Sequence, residues 1–248
     1  MPAYGFSGHT LTRTAFFVFV ILTPSAQFVL NPNGFEQRPP TTTGMTQVQI
    51  LLETRRLTLR PFTPDDAEHL FALDNDPVVM RYINGGTPIS IEIIKREILP
   101  VFLRHDERFP MYGFWAAIDK TSHRFLGWFV FRTLGDDPHK VEIGYRFYQH
   151  AWGFGYATEG ARALMDKGFR ENGVTRVTAT AYEENRASRR VMEKLGMTLQ
   201  RSFRITSKDI ANTDTAHTTS AEVWDGYDVE YSLGVIEWRE FKQLPESD

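Results

Sequence analysis

The sequence has no cysteine among its 248 residues. This absence excludes a thiol nucleophile, a cysteine-ligated metal site and a disulfide framework, and it leaves the compartment open. Neither sign of charge dominates, because the formal net charge is only −3 at pH 7. No general attraction to nucleic acid or to an anionic membrane is therefore expected. The histidines also lack a spacing with carboxylates that is typical of metal ligands, so we predict no metal site.

The first 44 residues differ in composition from the remainder. Their apolar run at residues 15–22 is too short to span a bilayer as a helix, and Pro, Thr and Asn are frequent after it. Arg13 and Ala26 partly support a signal peptide, but Pro24 fits badly at a cleavage site. The alternatives are a disordered leader or an extension from an upstream start, and the second is favoured because the domain pattern begins directly after Met45. We therefore expect a leader over residues 1–44 and one domain over residues 45–248.

Residues 141–160 combine a strand pattern, a glycine turn and a helix pattern. Apolar residues alternate from Val141 to Phe147, as in a strand with one buried face. Gly153 and Gly155 follow, and from Ala157 onward apolar residues recur at helical spacing. The first turn of a helix leaves backbone N–H groups without partners, so this arrangement favours binding of a nucleotide phosphate.

The two common phosphate loops do not fit this stretch. No lysine follows the second glycine, and no third glycine stands where the dinucleotide-binding pattern needs one. A glycine pair between a strand and a helix can also be only a tight turn.

The stretch resembles the acyl-CoA loop of the GCN5-related N-acetyltransferases (GNAT), which reads Gln or Arg, two residues, Gly, one residue, Gly or Ala. Gly153 and Gly155 match this pattern, and His150 stands where Gln or Arg is usual. The surrounding segments are similar to the RimJ/RimL-type branch, over roughly Glu53 to Trp238. These segments are T-x-R-L-x-L-R-P-F from residue 54, E-I-G-Y from 142, A-W-G-F-G-Y-A-T-E from 151 and N-R-A-S-R-R-V-M-E-K-L-G-M from 185.

The resemblance implies an α/β GNAT fold, a mixed sheet of about six or seven strands flanked by helices. Local patterns predict strands at 57–61, 113–119, 125–132, 141–147, 176–181, 199–205 and 227–233, with 237–238 resembling the end of the closing strand. Helices are predicted at 63–75, 90–105, from the glycine loop to 172, and at 187–195, and an exposed loop at 206–221. The strand, glycine loop, helix and strand unit requires a crossover, which makes its two strands parallel at the centre of the sheet.

The resemblance also implies acetyl-CoA as acyl-donor cosubstrate, without a metal. Asn185 and Ser188 would lie beside the pantetheine arm, although Asn185 is equally well placed to cap the helix that follows it. The predicted cofactor-binding residues are Ile143, Tyr145, Phe147, Ala151, Trp152, Gly153, Phe154, Gly155, Tyr156, Ala157, Thr158, Asn185 and Ser188.

Two residues are candidates for proton transfer in the reaction that the resemblance implies. Ser188 would donate a proton to the departing thiolate, unless it is only a second capping hydroxyl. Many members of the superfamily instead carry a tyrosine seven residues after the Asn, and here that position is Met192, which cannot donate a proton. Glu142 is the candidate base, directly or through water, unless it is a solvated charge at a strand end.

The predicted activity is transfer of an acetyl group to a primary amine, on a protein N-terminus or a small molecule, by direct attack in a ternary complex. Tyr82, Ile83 and Phe109 are candidate lining residues for the acceptor, or else ordinary core or surface aromatics and aliphatics. The alternative is a CoA-binding regulatory module that has lost turnover, motivated by His150 and Met192. A kinase-like nucleotide site ranks last, because no suitable lysine or acid can be assigned near the loop. We expect a cytoplasmic monomer or homodimer without nucleic-acid or membrane partners.

Overall fold

The computed structural model describes residues 50–104, 109–134, 137–204 and 226–243. The predicted leader at 1–44, the domain boundary at Met45 and the predicted loop at 206–221 lie outside these residues. None of the helices in the described ranges is long and apolar enough to cross a membrane.

The described residues form a mixed sheet with helices on both sides. The strands are β1 (Leu52–Glu53), β2 (Leu57–Pro61), β3 (Gly113–Asp119), β4 (Phe125–Leu134), β5 (Asp137–Phe147), β6 (Arg176–Tyr182), β7 (Thr198–Phe203) and β8 (Asp228–Gly234). The α-helices are α1 (Ala67–Asp74), α2 (Ile91–Ile93), α3 (Leu99–Phe102), α4 (Tyr156–Glu171), α5 (Arg186–Lys194) and α6 (Val235–Phe241). Single 3₁₀ turns occur at Pro64–Asp66, Met80–Tyr82 and Gln149–Ala151, and a π-helical turn, Ile94–Ile98, joins α2 to α3.

The strand order is β1-β2-β3-β4-β5-β6-β8-β7. All neighbouring strands are antiparallel except β5 and β6, which are parallel and connected by α4. The predicted α/β fold and its central parallel pair are therefore confirmed. The eighth strand is the two-residue β1, which is too short to leave a periodic pattern in the sequence.

The two central strands, β5 and β6, are paired over only a short part of their length. β5 and β6 are paired only from Lys140↔Arg176 to Glu142↔Thr178, although β5 continues to Phe147 and β6 to Tyr182. On their outer sides both strands remain paired, β5 with β4 and β6 with β8. A gap therefore opens inside the sheet, with strand backbone along both of its edges.

Two hydrophobic clusters cover the two sides of the sheet. On one side, which we call the α4 face, residues such as Ile143, Leu164 and Val177 pack with α4, α5 and α6. On the other, the α1 face, residues such as Leu70 and Phe102 pack α1, α2 and α3 against β3 and β4. Both faces of β3 and β4 are thus covered.

The prediction of a single buried face for residues 141–147 is wrong. Glu142 and Arg146 point away from the α4 face, yet each is only 7% exposed. The reason is that α1 covers this side of β5, where Arg146 forms an ion pair with Asp74 of α1. Burial of such charges is tolerated because each is paired.

The predicted apolar face of α4 is confirmed, with Ala161, Leu164, Gly168 and Phe169 buried. Gly160 is required by close packing, since a Cβ there would lie 2.3 Å from the ring of Phe129. This contact brings α4 tightly against the sheet and places its first turn beside the end of β5.

Three other predicted elements need correction. The helix predicted at 90–105 is broken by the π-helical turn and ends at Phe102. Ala187 is exposed, because the inward side of α5 carries Ser188 and Met192 instead. Residues 237–238 belong to α6 and not to a strand. The strand ends at Gly234, the Val235 amide donates to Thr175 O, and the Trp238 ring stacks on Phe169 of α4.

Candidate active site

A cavity of about 180 Å³ lies where β5 and β6 separate. Residues of α5 line it on the α4 face, and Tyr82, Ile83 and Phe102 line it on the α1 face, so the cavity connects the two sides of the sheet through the gap. Its lining includes the polar and charged residues Arg132, Glu142, Arg146, Thr180, Asn185, Ser188 and Asp228.

The glycine loop is built to present backbone N–H groups. Gly153 and Gly155 adopt φ values of 80° and 81°, the left-handed region that glycine enters without steric cost, and Gly155 precedes the first residue of α4. The first α4 amide with a backbone acceptor is that of Glu159, which donates to Gly155 O at 2.9 Å. In the described chain, the amides of residues 153–158 donate to no protein acceptor. Together with the positive end of the helix dipole, these amides are suited to binding an anion.

Two of the predicted loop residues use their amides elsewhere. The Ala151 amide donates to Tyr148 O at 2.9 Å and the Trp152 amide to Gln149 O at 3.0 Å, because the chain makes a 3₁₀ turn there. Ala151 is buried in the core, whereas Trp152 and Phe154 are 46% and 62% exposed. The loop amides without a protein acceptor in the described chain therefore begin at Gly153.

Arg56 lies beside the glycine loop, a position that was not predicted from the sequence. Its Nη2 lies 3.6 Å from where a Cβ on Gly155 would be, and its guanidinium lies over the Tyr156 ring at 4.5 Å. Arg56 Nε donates to Glu159 Oε2 at 2.6 Å, and the Arg56 amide donates to Oε1 at 2.8 Å. Although partial burial opposes it, hydrogen bonds from Thr54 and Arg56 lower the pKa of Glu159. Both residues lie in segments quoted above for the resemblance, but the pattern did not reveal that they meet.

Asn185 and Ser188 lie together at the start of α5. Asn185 Oδ1 accepts a hydrogen bond from the Ser188 amide at 3.1 Å, so the predicted capping role of Asn185 is confirmed. The Ser188 hydroxyl does not cap the helix; it lies 3.1 Å from the hydroxyl of Tyr145 on β5. Tyr145 also donates to Ser188 O at 3.0 Å, and burial raises its pKa. These contacts connect β5 to the start of α5.

The other strand residues are divided between cavity and core. Ile143 and Tyr145 line the cavity, whereas Phe147 does not: it is 5% exposed in the core, and its carbonyl accepts from Trp152 Nε1 at 2.8 Å. Met192 lines the cavity and is 2% exposed, so an apolar thioether occupies the place where a tyrosine hydroxyl is common.

Glu142 is buried at the closed end of the gap and is not a solvated charge. Arg132 Nε and Nη2 both donate to its Oε2, at 3.0 and 2.7 Å. This pairing orients the carboxylate within the cavity lining.

Asp228 is a second carboxylate in the cavity, and the sequence analysis missed it. It is the first residue of β8 and is paired with Tyr182 of β6. Burial, with a smaller contribution from the charge of Glu183, raises the pKa of Asp228 to about 6. No local pattern marked this residue, because its position in the cavity depends on the pairing of β8 with β6.

Of the three predicted substrate-lining residues, Tyr82 and Ile83 line the cavity and Phe109 does not. Phe109 stacks on Tyr112 at 5.5 Å, and the Tyr112 hydroxyl donates to Pro138 O near the start of β5. Phe109 is thereby held at the end of β5 remote from the gap. No cluster of His, Asp and Glu suited to a metal ion occurs in the described part of the chain.

Comparison with known proteins places these features in a family. The model of the family described as "Acetyltransferase (GNAT) domain" matches residues 56–198, more than half of the chain. That range contains Arg56, the glycine loop and the start of α5.

Individual proteins agree with the family match. The chain is 36% identical to the uncharacterized protein YkkB of Bacillus subtilis, over 64% of this chain and 92% of that protein. It is 30% identical to the FsC-acetyl coenzyme A-N(2)-transacetylase of Aspergillus fumigatus, over 63% of this chain and 68% of that protein. The crystal structure of a GNAT-family acetyltransferase from Bacillus anthracis aligns with a TM-score of 0.61 and 26% identity, covering 76% of this chain and 99% of that one.

Proposed function

Since the chain belongs to the GNAT family of acetyl-CoA-dependent N-acetyltransferases, we propose that a primary amine attacks the acetyl thioester directly, in a ternary complex within the gap between β5 and β6. The observation that carries the proposal is the cavity itself, which joins the two faces of the sheet. Acetyl-CoA would occupy the α4 face, where the glycine loop lies, and the acceptor amine would enter from the α1 face. Holding both reactants in line can account for about 7 to 11 kcal/mol of the barrier.

The loop amides and Arg56 would hold the diphosphate of the cofactor. The amides of residues 153–158 supply donors, and the Arg56 guanidinium adds a positive charge whose Nη atoms make no hydrogen bond to the described residues. Charge-assisted hydrogen bonds from arginine to phosphate are stronger than neutral ones. Asn185 and Ser188 would lie along the pantetheine arm, and the exposed side chains of Trp152 and Phe154 would flank the nucleotide.

The chemistry needs little from the protein beyond positioning. Backbone N–H groups of β5 that no longer pair with β6 would polarise the thioester carbonyl. The departing thiolate has a solution pKa of about 8 to 9, so Ser188 or an ordered water suffices as its proton donor. Glu142 remains the sequence-based candidate for the base, directly or through water.

The acceptor is a primary amine on a small molecule or on a protein N-terminus. The similarity to the FsC transacetylase, whose name gives N(2) as the acetylated position, supports a nitrogen acceptor in general, and the RimJ/RimL-type segments support a protein N-terminus. A CoA-binding module without turnover remains the rival, because Met192 supplies no proton.

Calorimetric titration of the full chain with acetyl-CoA, with ATP and NAD as comparison ligands, tests the proposal. We expect one-to-one binding of acetyl-CoA alone, followed by CoA release when a panel of amines is added. Binding without release for any amine would establish the rival module, and absence of binding would refute the site.

A pair of variants tests the role of Arg56. Arg56→Met should weaken acetyl-CoA binding about tenfold, the value of one charge-assisted hydrogen bond. Glu159 keeps its bonds to the Thr54 hydroxyl and the residue 56 amide, so the loop should stay in place. Lys95→Met is the matched control, since it removes one positive charge from an exposed ion pair with Glu68 on α1. Equal affinities for the two variants would contradict a phosphate contact by Arg56.

A further inference from the structure

Three strand carboxylates point to the α1 face around the gap. Side chains alternate along a strand, and Ile143 of β5 and Val229 of β8 pack on the α4 face. Glu142, Asp228 and Glu230, which stand at odd separations from these residues, therefore face the opposite side, from which the acceptor amine would enter.

Two of these carboxylates are held by arginines. Glu142 accepts two hydrogen bonds from Arg132, and Glu230 accepts two from Arg201 at 3.2 and 2.8 Å. Asp228 differs, because no cation of the described residues forms an ion pair with it. Arg146, the other guanidinium in the cavity lining, forms its ion pair with Asp74.

Asp228 is nevertheless part of the cavity wall. It lies directly across from Tyr182 in the β6–β8 register, and the rings of Tyr182 and Tyr82 are 5.9 Å apart beside it. The charge of the described residues that raises the pKa of Asp228, after burial, is that of Glu183, which is also negative. This end of the cavity therefore has a negative potential and tyrosine rings, a combination that attracts a cationic group.

Glu142 and Asp228 occupy opposite ends of the cavity. Glu142 pairs with Thr178, where the gap begins, and Asp228 pairs with Tyr182, four residues farther along β6. At about 3.3 Å per residue, roughly 13 Å of strand separates these positions. Asp228 is consequently the carboxylate at the open end of the gap.

We propose, resting on the proposed function, that Asp228 binds the acceptor as its ammonium ion and is the base that deprotonates it. The carboxylate takes one proton from R–NH₃⁺, and the resulting amine forms a C–N bond with the thioester carbon. As the C–S bond breaks, the second proton leaves nitrogen and reaches the thiolate through Ser188 or water. Asp228 then releases its proton to solvent, so the products are the amide, CoA and one proton.

The same geometry defines a substrate class. Asp228 and Glu183 would repel an acceptor that carries a carboxylate beside its amine, and the two arginines of the cavity are already paired with Glu142 and Asp74. We therefore expect amines without an adjacent carboxylate, such as peptide N-termini and diamines, and not free amino acids.

The test uses the full chain and three amines: alaninamide, a tetrapeptide amide and 1,5-diaminopentane, with alanine as the comparison. For the best of the three, wild-type kcat/KM should rise through a pKa near that of Asp228, about 6. Asp228→Asn should remove this ascending limb and lower kcat/KM at neutral pH about a hundredfold, the usual contribution of a general base. Part of the rate should return at high pH, where the free amine is neutral, and acetyl-CoA affinity should be unchanged.

Glu230→Gln is the matched control, since Glu230 lies on the same strand and face but outside the cavity, and its profile should equal that of the wild type. Glu142→Gln tests the competing assignment, in which Glu142 is the base. An intact limb in Asp228→Asn, or its loss in Glu142→Gln only, would overturn the assignment while leaving the acetyltransferase function in place. Preference for alanine over alaninamide would overturn the substrate class. Wild-type binding of acetyl-CoA without turnover of any amine would refute the proposed function, and the Asp228 assignment with it.

Discussion

The hydroxyl of Ser188 shares a short network with Tyr145. Tyr145 has one hydroxyl hydrogen, and burial keeps it on the phenol by raising the pKa. When that hydrogen bonds Ser188 O, the Ser188 hydroxyl donates to Tyr145. When it bonds Ser188 Oγ, the serine proton becomes available to a thiolate. The pair can thus switch between a closed and a proton-donating arrangement without moving either main chain.

Ser188→Ala should lower kcat about tenfold to a hundredfold, at or below the usual range for a general acid because thiolate is a tolerable leaving group. The acetyl-CoA dissociation constant should change little. Helix α5 should keep its start, since Asn185 caps through the Ser188 amide and not through its hydroxyl. Single-turnover kinetics beside calorimetric binding would measure both quantities. An unchanged kcat would assign the proton donation to water.

Asp228→Asn should also change stability in a pH-dependent way. The folded pKa of Asp228, about 6, lies above the unfolded value of about 3.9, so the unfolded chain loses this proton first as the pH rises. The wild type therefore loses stability between about pH 4 and pH 6, and the variant does not. At pH 7.5 the variant should be more stable by about 1 kcal/mol after allowance for solvent screening, and at pH 4 the difference should vanish. Urea unfolding at both pH values would measure this, and a variant less stable at pH 7.5 would contradict it.

At the scale of elements, the ion pair between Asp74 and Arg146 fastens α1 to β5. Both side chains are almost completely buried, at 1% and 6% exposed, and Arg146 also lies over the Trp128 ring at 4.9 Å. Helix α1 is short, so its orientation on the sheet is set by this ion pair together with the apolar contacts of Leu70 and Leu73.

Asp74→Ala should destabilise the protein by about 3 to 5 kcal/mol, because it leaves a buried guanidinium without its counter-charge. Glu68→Ala on the same helix is the control. It breaks an exposed pair with Lys95, and such pairs contribute about 0 to 1 kcal/mol. Denaturant midpoints at pH 7 compare the two. Similar small losses would show that the buried pair adds nothing to stability.

At the scale of the whole molecule, the sheet carries a hydrophobic cluster on each side and is interrupted in the middle. The clusters of the α4 face and the α1 face are complete within residues 51–238 of the described chain. The gap weakens the centre of the sheet, but β4 and β8 keep β5 and β6 paired on their outer edges. The opening in the sheet therefore leaves both hydrophobic clusters in place, as the proposed entry of two substrates from opposite sides requires.

We propose that the domain begins at Met45, as the sequence pattern indicates. A chain starting at Met45 should unfold cooperatively and bind acetyl-CoA with the affinity of the full chain, because both clusters are retained. Circular dichroism melting and calorimetric titration of the two chains side by side would show this. Loss of cooperative unfolding would mean that residues 1–44 contribute to the fold.

The parts of this structure that depend on neighbouring residues were predictable from the sequence. The bounds of β3, the inward face of α4, the glycine turn between β5 and α4 and the cap by Asn185 follow from local periodicity and backbone preference. The parallel pair β5 and β6 followed as well, since a strand, helix and strand unit can close only by a crossover.

The tertiary structure alone decided which distant residues meet. Arg56 reaches Glu159 across 103 positions, and Asp228 enters the cavity because β8 inserts between β6 and β7. The pairing of Glu142 with Arg132 and of Arg146 with Asp74 likewise depends on the β4–β5 register and on the placement of α1. Such contacts leave no periodic signal, because strand order and helix docking are set by the burial of the whole core rather than by the residues on either side.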